Sequence, residues 1–382
     1  MSLRGPSQRP APTGGRAHEA YRAAIIGTGR IASLLERDPL RAKPHTHAGW
    51  YVADPATTLA AGCDVDADRL AAFGADWNIP AAHLYEDYRA MLARERPDIV
   101  SICAYAADRG AMCRAAVDAG ARGLWIEKAV ACSVEEAREL AATLAAAGVP
   151  AVVDHPRREE PRYRAVGRWL RDGAFGRLET VHVVFSGHVI HTGTHAWDLL
   201  LAWCGPWVSV EASLDLDEGA GHGDARDGDG AGARIEAAVA GGAVRDRGGR
   251  ARIVFANGVE AFVTGGAKRY FVFQCDLVCT EGRIRVGNDV WEVLTPADSP
   301  RYTGFRELTP VDPDARMVPS DRGSVSLLGR LLEAMTSGHT PTQSAACAAD
   351  ALALGVAIIQ AGVTGARVTP ATLDVRLRVA SI

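Results

Sequence analysis

Lysine is nearly absent from this sequence of 382 residues, and arginine carries almost all of the basic charge. The only lysines are Lys43, Lys128 and Lys268. A coding bias toward arginine would replace lysine wherever either residue serves. A lysine that remains is therefore a candidate functional group, because arginine cannot replace a compact ammonium with a tunable pKa.

The eight cysteines lack the spacing of a zinc site. Cys275 and Cys279 are separated by three residues, but no second pair of cysteines or histidines lies at a useful distance. The clustered histidines around His188 and His191 need not converge on one ion. We therefore expect no metal, and the cysteines predict small buried side chains in a reduced cytoplasm.

Three further absences narrow the class of protein. The net charge of −4 offers no electrostatic reason to expect nucleic acid or an anionic membrane as partner. Charges interrupt the apolar stretches before a membrane span is reached, and the N-terminal segment lacks the apolar core of a signal peptide. We expect a cytoplasmic globular protein, with a disordered tail over residues 1–20.

Residues 21–150 alternate between short apolar runs and helical segments. This alternation predicts an α/β domain with a doubly wound parallel sheet, a Rossmann domain. The predicted strands are 21–26, 58–63, 98–104, 123–126 and 149–153, and the first predicted helix begins near Arg30.

Residues 151–382 read differently. A helix over 162–172 is followed by β-rich runs that are separated by turn pairs such as Asn257-Gly258, which predicts an open, mostly antiparallel sheet. The Gly- and Asp-rich stretch 217–250 predicts a flexible insertion. Two helices follow at 324–336 and 345–361, and we expect the last one to pack against the first domain.

The strongest motif is Gly27-x-Gly29-x-x-Ala32, which follows a strand and opens a helix. Gly27 permits a tight turn, Gly29 lets the backbone approach a pyrophosphate, and Ala32 allows close packing of helix and strand. With Arg30 and Ile31, this loop predicts a dinucleotide site at a helix N-terminus.

Asp64 ends the second strand, where a carboxylate can accept hydrogen bonds from the adenosine ribose. It would repel the phosphate of NADP, and the next arginine is Arg69, so NAD is favoured over NADP. Asp64 could instead simply end the strand. It lies further from Gly29 than the roughly 20 residues of the fingerprint, which predicts an insertion over residues 37–47.

Three later segments resemble the Gfo/Idh/MocA oxidoreductase family. Glu127-Lys128-Ala129 matches the family's E-K-P segment. His155-Pro156-Arg157-Arg158 with Pro161-x-Tyr163 is similar to its N-R-R-x-x-P-x-Y segment, and Gly193-x-His195-x-x-Asp198 to its G-x-H-x-x-D segment. The resemblance runs from about Tyr21 to the C-terminus. It implies a Rossmann domain, a second α/β domain and a substrate cleft between them.

The resemblance also implies roles for single residues. Lys128, His191 and His195 would be catalytic: His195 as base near neutral pH, Lys128 as the group that holds the reacting oxygen. Glu127 and Lys128 would contact the coenzyme. His155, Arg158 and Asp198 would face the substrate, although Arg158 could equally form a structural salt bridge.

Four residues depart from the family pattern. Ala129 replaces the proline, His191 stands where many members have aspartate, and Tyr105 and Arg109 replace a proline and a histidine after the fourth strand. These changes put the usual inositol or glucose specificity in doubt.

We therefore predict an NAD(H)-dependent dehydrogenase or ketoreductase that acts on a sugar, a cyclitol or a sugar derivative, assembled as a homodimer or homotetramer. Two alternatives stay open. One is a redox-neutral lyase or glycosidase that oxidises a sugar transiently with bound NAD. The other is a non-catalytic NAD-binding protein.

Overall fold

The computed structural model describes residues 20–215, 243–266, 270–322 and 325–380. Residues 1–19 of the predicted tail, most of the predicted insertion over 217–250, and Lys268 lie outside the described residues. The described chain forms an N-terminal domain around a six-stranded sheet and a second domain around an eight-stranded sheet.

The first sheet consists of β1 (Tyr21–Ile26), β2 (Thr57–Cys63), β3 (Leu84–Tyr85), β4 (Ile99–Ile102), β5 (Gly123–Ile126) and β6 (Ala151–Val153). The strands are all parallel, in the order β3-β2-β1-β4-β5-β6. The order reverses between β1 and β4, which is where Rossmann domains bind dinucleotides. The predicted doubly wound parallel sheet is confirmed.

Five helices belong to this domain: α1 (His47–Ala53), α2 (Ala67–Trp77), α3 (Tyr88–Glu95), α4 (Ala106–Asp118) and α5 (Val134–Ala147), with 3-10 turns at Leu34–Arg37 and Ala81–His83. Helix α5 shows how local sequence sets the ends. The Ser133 side chain accepts from the Glu136 N–H at the start, and Gly148 ends the helix with φ +65°.

The second domain contains β7 (Leu178–Phe185), β8 (Trp207–Leu214), β9 (Val244–Arg245), β10 (Gly249–Phe255), β11 (Glu260–Gly265), β12 (Phe273–Cys279), β13 (Gly282–Gly287), β14 (Trp291–Asp298), β15 (Arg306–Val311) and β16 (Val379–Ala380). Eight of them form one sheet, in the order β15-β14-β13-β12-β7-β11-β10-β8. Its pairs are antiparallel except β7 with β11, so the predicted open, mostly antiparallel sheet is confirmed. The β14–β15 hairpin was not predicted.

The helices of this domain are α6 (Pro161–Arg171), α7 (Thr194–Cys204), α8 (Pro319–Arg322), α9 (Leu327–Ser337) and α10 (Ala345–Thr364), with 3-10 turns at Pro156–Glu159 and Asp314–Arg316. Helix α10 contacts α5 and β6 of the first domain, and α7 and β8 of the second. It therefore lies between the domains and helps to set their relative position.

Helix α10 is long and apolar enough to cross a membrane by length and composition. This corrects the expectation that charges interrupt each apolar stretch, because Asp350 is its only charged residue. In the structure 67% of its apolar window is buried inside the protein. Its apolar surface is thereby explained as core between the two domains.

Candidate functional site

The loop after β1 is shaped by two glycines with different roles. Gly27 has φ +87°, and a Cβ added there would lie 2.9 Å from backbone atoms of Cys103 and Ala104. A Cβ added to Gly29 would meet no atom within 4 Å. The loop therefore packs tightly against the end of β4 at Gly27 and leaves space at Gly29, where the fingerprint places a pyrophosphate.

The helix expected from Arg30 is interrupted, which corrects the prediction. A single turn and the 3-10 helix Leu34–Arg37 follow the loop, and α1 begins only at His47. The His47 N–H donates to the Ile31 carbonyl at 3.2 Å, and the next N–H repeats the pattern with Ala32 at 3.0 Å. Helix α1 thus continues the helical turn at Ile31 and Ala32, with the residues between that turn and His47 looped out.

This continuation explains the long spacing of the fingerprint. His47 lies 16 positions after Ile31 but takes the place of the fourth, so 12 residues are extra. Without them, Gly29 and Asp64 would be 23 rather than 35 residues apart, close to the roughly 20 of a dinucleotide site. The predicted insertion in the first crossover is confirmed.

The inserted loop is held by the Glu36 side chain. One carboxylate oxygen accepts from the backbone N–H groups of His45 and Thr46 and from the Thr46 hydroxyl, at 2.8–3.0 Å. Burial opposes ionisation, but these hydrogen bonds hold the pKa of Glu36 below its ordinary value. Lys43 donates to the Glu36 carbonyl, so this lysine stabilises the insertion.

Asp64 is buried at the end of β2 and faces the glycine loop. It accepts from the Thr28 N–H at 2.8 Å and from the Thr28 hydroxyl at 3.1 Å. Its other oxygen accepts from the Asp66 N–H and lies 3.4 Å from Arg69. Asp64 therefore ties the loop to β2. Contact of its carboxylate with an adenosine ribose stays a prediction.

Lys128 lies directly after β5 and reaches across to the second domain. Its ammonium donates to the His191 carbonyl at 2.7 Å, and burial lowers its pKa. The Lys128–Ala129 peptide bond is cis, although the family's proline is absent. The buried Arg109 guanidinium donates to the Ala129 carbonyl, which gives this departure from the family pattern a structural role.

His195 and His155 meet beside Lys128. Their rings are 5.5 Å apart in an edge-to-face arrangement. Burial, followed by the positive charges of Arg157 and Lys128, lowers the pKa of His195 well below its ordinary value. Burial also lowers the pKa of His155 to about 3, with Lys128 as the largest charge. Both imidazoles are therefore neutral at pH 7, and each can accept a hydrogen bond.

His191 is exposed and contributes through its backbone. Its carbonyl accepts from Lys128, while its N–H donates to Asp246 at 2.7 Å. Asp246 also accepts from the Ile190 N–H at 2.9 Å. A catalytic role for the His191 imidazole stays a prediction. Asp246 was missed in the sequence because nothing near it indicates a partner 55 residues away.

Arg158 and Asp198 form the salt bridge that the sequence left open for Arg158. The guanidinium donates to both carboxylate oxygens, at 3.0 and 2.6 Å, and also to the Thr342 carbonyl. Asp198 is 1% exposed. The pair holds α7 to the segment before α6. Contact of Arg158 or Asp198 with a substrate stays a prediction.

Glu127 lies in a buried cluster with His47 and Asp154. One potential ligand atom from each side chain lies within 4.8 Å of the other two, which is close enough for the three to bind a metal ion together. Both His47 nitrogens already have partners: Nδ1 contacts the Ser101 hydroxyl at 2.9 Å and Nε2 contacts Glu127 at 3.3 Å. Hydrogen bonds therefore account for this cluster. A coenzyme contact of Glu127 stays a prediction.

The carboxyl group of Asp154 makes folding pH-dependent. Burial, followed by the charge of Glu127, raises the pKa of Asp154 to about 7. Between about pH 4 and 7 the unfolded chain releases this proton while the folded chain keeps it, so this group lowers the free energy of unfolding as pH rises. Asp154→Asn cannot ionise and should therefore not lose this stability as pH rises. Because the pKa shift exceeds one unit, we expect the effect on the free energy of unfolding to exceed about 1.4 kcal/mol.

Urea unfolding at pH 5 and pH 7.5 measures this effect. We expect Asp154→Asn to be stabilised relative to the wild type at pH 7.5 more than at pH 5. Asp118→Asn, at the exposed end of α4, is the matched control and should show no such difference. An equal effect of Asp154→Asn at both pH values would contradict the assignment.

The strand order, the glycine loop and the Lys128–His195 cleft define a dinucleotide-binding, two-domain oxidoreductase fold. Residues 21–155 match the model of the oxidoreductase family with the NAD-binding Rossmann fold. This match confirms the predicted resemblance to the Gfo/Idh/MocA family and the NAD-binding Rossmann domain.

A D-apiose dehydrogenase from Paraburkholderia graminis is 35% identical over 156 residues. That match covers 41% of this chain and 38% of the relative's length. Sequence similarity to this dehydrogenase is thus limited to about two fifths of either chain.

Solved structures extend the likeness of the fold to both domains. The WlbA dehydrogenase from Chromobacterium violaceum, in complex with NADH and UDP-GlcNAcA, has a TM-score of 0.69 at 19% identity and covers 93% of this chain and 97% of its own. A levoglucosan dehydrogenase in complex with NADH has a TM-score of 0.70 at 15% identity, covering 92% and 99%. At such identities the likeness establishes the fold alone.

Proposed function

We propose that this protein is an NAD(H)-dependent oxidoreductase that transfers a hydride to or from a secondary alcohol or ketone of a sugar, cyclitol or sugar derivative. One observation carries the proposal. Lys128 and His155 follow the Rossmann strands β5 and β6, and His195 lies at the start of α7 in the second domain, yet the three meet at one cleft. The names of the related dehydrogenases support the same class of reaction.

The chain's own groups suit the proton transfer that such a reaction requires. His195 is neutral and its Nδ1 is buried with no hydrogen-bond partner among the described residues, so it can accept a hydroxyl proton. Lys128 carries a positive charge beside it, which stabilises an oxygen that becomes negative. Bound NAD would accept or supply the hydride itself.

The coenzyme preference is proposed from Asp64. Its buried carboxylate lies at the end of β2, beside Thr28 of the glycine loop. A carboxylate at this place accepts from ribose hydroxyls and repels the additional phosphate of NADP. Arg69, the nearest arginine, lies 3.1 Å from Asp66 and 3.4 Å from Asp64, so carboxylates already surround it. These contacts favour NAD.

Absorbance of NADH during turnover with a panel of sugars and cyclitols tests the proposal. We expect reduction of NAD with at least one member, and a kcat/KM for NAD about tenfold or more above that for NADP. No reduction with any member together with no binding of NAD would overturn the proposal. Product formed without net NADH would instead support the redox-neutral lyase or glycosidase. A homo-oligomeric state and a cytoplasmic location remain predictions.

A further inference from the structure

The charges around His195 are unevenly balanced. The Arg157 guanidinium lies 3.9 Å from the centre of the Phe273 ring, and within the described residues no carboxylate forms a salt bridge with it. Lys128 has a carbonyl as its hydrogen-bond partner. Both cations act on the same imidazole, since both lower the pKa of His195. Among the described residues, neither positive charge of this cleft forms a salt bridge with a carboxylate.

The carboxylates nearest to this cleft have other partners. Asp198 forms the bidentate pair with Arg158, and Asp246 accepts from two backbone N–H groups. Glu127 and Asp154 lie behind Lys128 in the cluster with His47. The charge of Arg157 lowers the pKa of Glu160, but the larger effect of burial raises it above its ordinary value. None of them forms an ion pair with Arg157 in the described part of the chain.

His155 supplies an independent indication of a bound ligand. It is 2% exposed, and neither of its ring nitrogens has a hydrogen-bond partner among the described residues. A buried polar group without a partner costs about 1–3 kcal/mol. A neutral imidazole offers one donor and one acceptor, and a sugar hydroxyl can satisfy either of them. The ring of His155 lies 5.5 Å from that of His195, and the charges of both Lys128 and Arg157 act on it.

From this charge balance we infer that the substrate is a sugar acid, a polyhydroxy compound with a carboxylate group that Arg157 binds. The inference rests on the proposed function and specifies its substrate class. The planar guanidinium matches a carboxylate with two parallel hydrogen bonds. His155 would contact a hydroxyl of the same molecule, while the reacting hydroxyl lies between Lys128 and His195. The unpaired cations and the unpartnered imidazole thereby receive partners in the bound state.

Pairs of acid and neutral sugars test the inference: D-glucuronate with D-glucose, and D-galacturonate with D-galactose, with glucose 6-phosphate as the phosphate arm. We expect kcat/KM to be about tenfold or more higher for the acid of at least one pair. Added NaCl should reduce this preference, because salt screens the ion pair. A preference for both neutral sugars, or for the phosphate, would overturn the inference.

Variants of Arg157 then locate the anion. Arg157→Met should lower the ratio of acid to neutral kcat/KM at least about tenfold, mainly through KM for the acid, and Arg157→Lys should restore part of it. Arg162→Met is the matched control, because Arg162 also lies over an aromatic ring, that of Trp291. It should leave the ratio unchanged. Equal losses for the acid and the neutral sugar in Arg157→Met would contradict the assignment.

Binding without turnover separates this inference from the proposed function. Calorimetric titration of the NAD-loaded protein with each sugar acid measures affinity even when no hydride is transferred. Binding of an acid that weakens in Arg157→Met supports the anion site although the proposed oxidoreductase activity fails. Turnover of neutral sugars with no acid bound supports the activity and overturns the anion site.

Discussion

Replacing Lys128 with methionine is expected to lower kcat of the proposed dehydrogenase by about 10²–10⁴-fold, the range for removal of a group that assists proton transfer. Methionine keeps the unbranched apolar stem but removes the ammonium that donates to the His191 carbonyl. The developing charge on the reacting oxygen then lacks its positive neighbour. Steady-state NADH absorbance with saturating coenzyme measures the effect.

Coenzyme binding should respond less than kcat to this change, because Lys128 is only one of the predicted coenzyme contacts, and the glycine loop and Asp64 lie on other strands. Fluorescence titration of NADH should therefore give a Kd within a few-fold of the wild type. Lys43→Met is the matched control: this lysine binds the Glu36 carbonyl in the inserted loop and takes no part in the cleft. A Lys128→Met enzyme with unchanged kcat would contradict the catalytic assignment and favour the non-catalytic alternative.

The second large effect is expected at the glycine loop, where two alanine substitutions should fail in different ways. Gly27→Ala places a Cβ 2.9 Å from the backbone of Cys103 and Ala104, at a φ of +87° that alanine rarely adopts. We expect a loss on the order of 2–4 kcal/mol in the free energy of unfolding, because the glycine loop and the segment after β4 are both held by the sheet and cannot move apart.

Gly29→Ala should fold normally, because its Cβ meets no atom of the protein within 4 Å. The space that it fills is the space where the pyrophosphate approaches the backbone, so NADH affinity should fall about tenfold or more. Urea unfolding and NADH titration on both variants make the comparison. A Gly29→Ala protein with normal affinity for NADH would show that the coenzyme does not bind against this loop.

Much of the first domain follows from patterns that lie close together along the chain. The run Tyr21–Ile26 is apolar apart from the exposed Arg22, because both sheet faces are covered, and the glycines that follow permit a turn whatever the distant residues are. Lys128 and His195 were found because each lies at a fixed offset within a short motif, next to a strand end or a helix start. Such local patterns depend on backbone geometry that neighbouring residues determine.

The sequence left alternatives open where distant residues compete for the same groups. It allowed Arg158 either a substrate contact or a salt bridge, and only the structure shows that Asp198, 40 residues later, pairs with its guanidinium. The long spacing from Gly29 to Asp64 predicts an insertion, but only the hydrogen bond from His47 to Ile31 shows that α1 continues the turn that begins after Gly29. The Arg158–Asp198 pairing has no periodic signal, because it depends on how separate elements approach in space.

The sequence by itself therefore determined the Rossmann domain, the open second sheet, the glycine loop and the candidates Asp64, Lys128 and His195. Tertiary structure alone decided which charges remain unpaired: it matched Arg158 with Asp198 and Asp246 with two backbone N–H groups, and left Arg157 over an aromatic ring. The physical reason is that propensity and turn chemistry act over a few residues, whereas the energy of a charge depends on every neighbour that folding brings within a few ångströms.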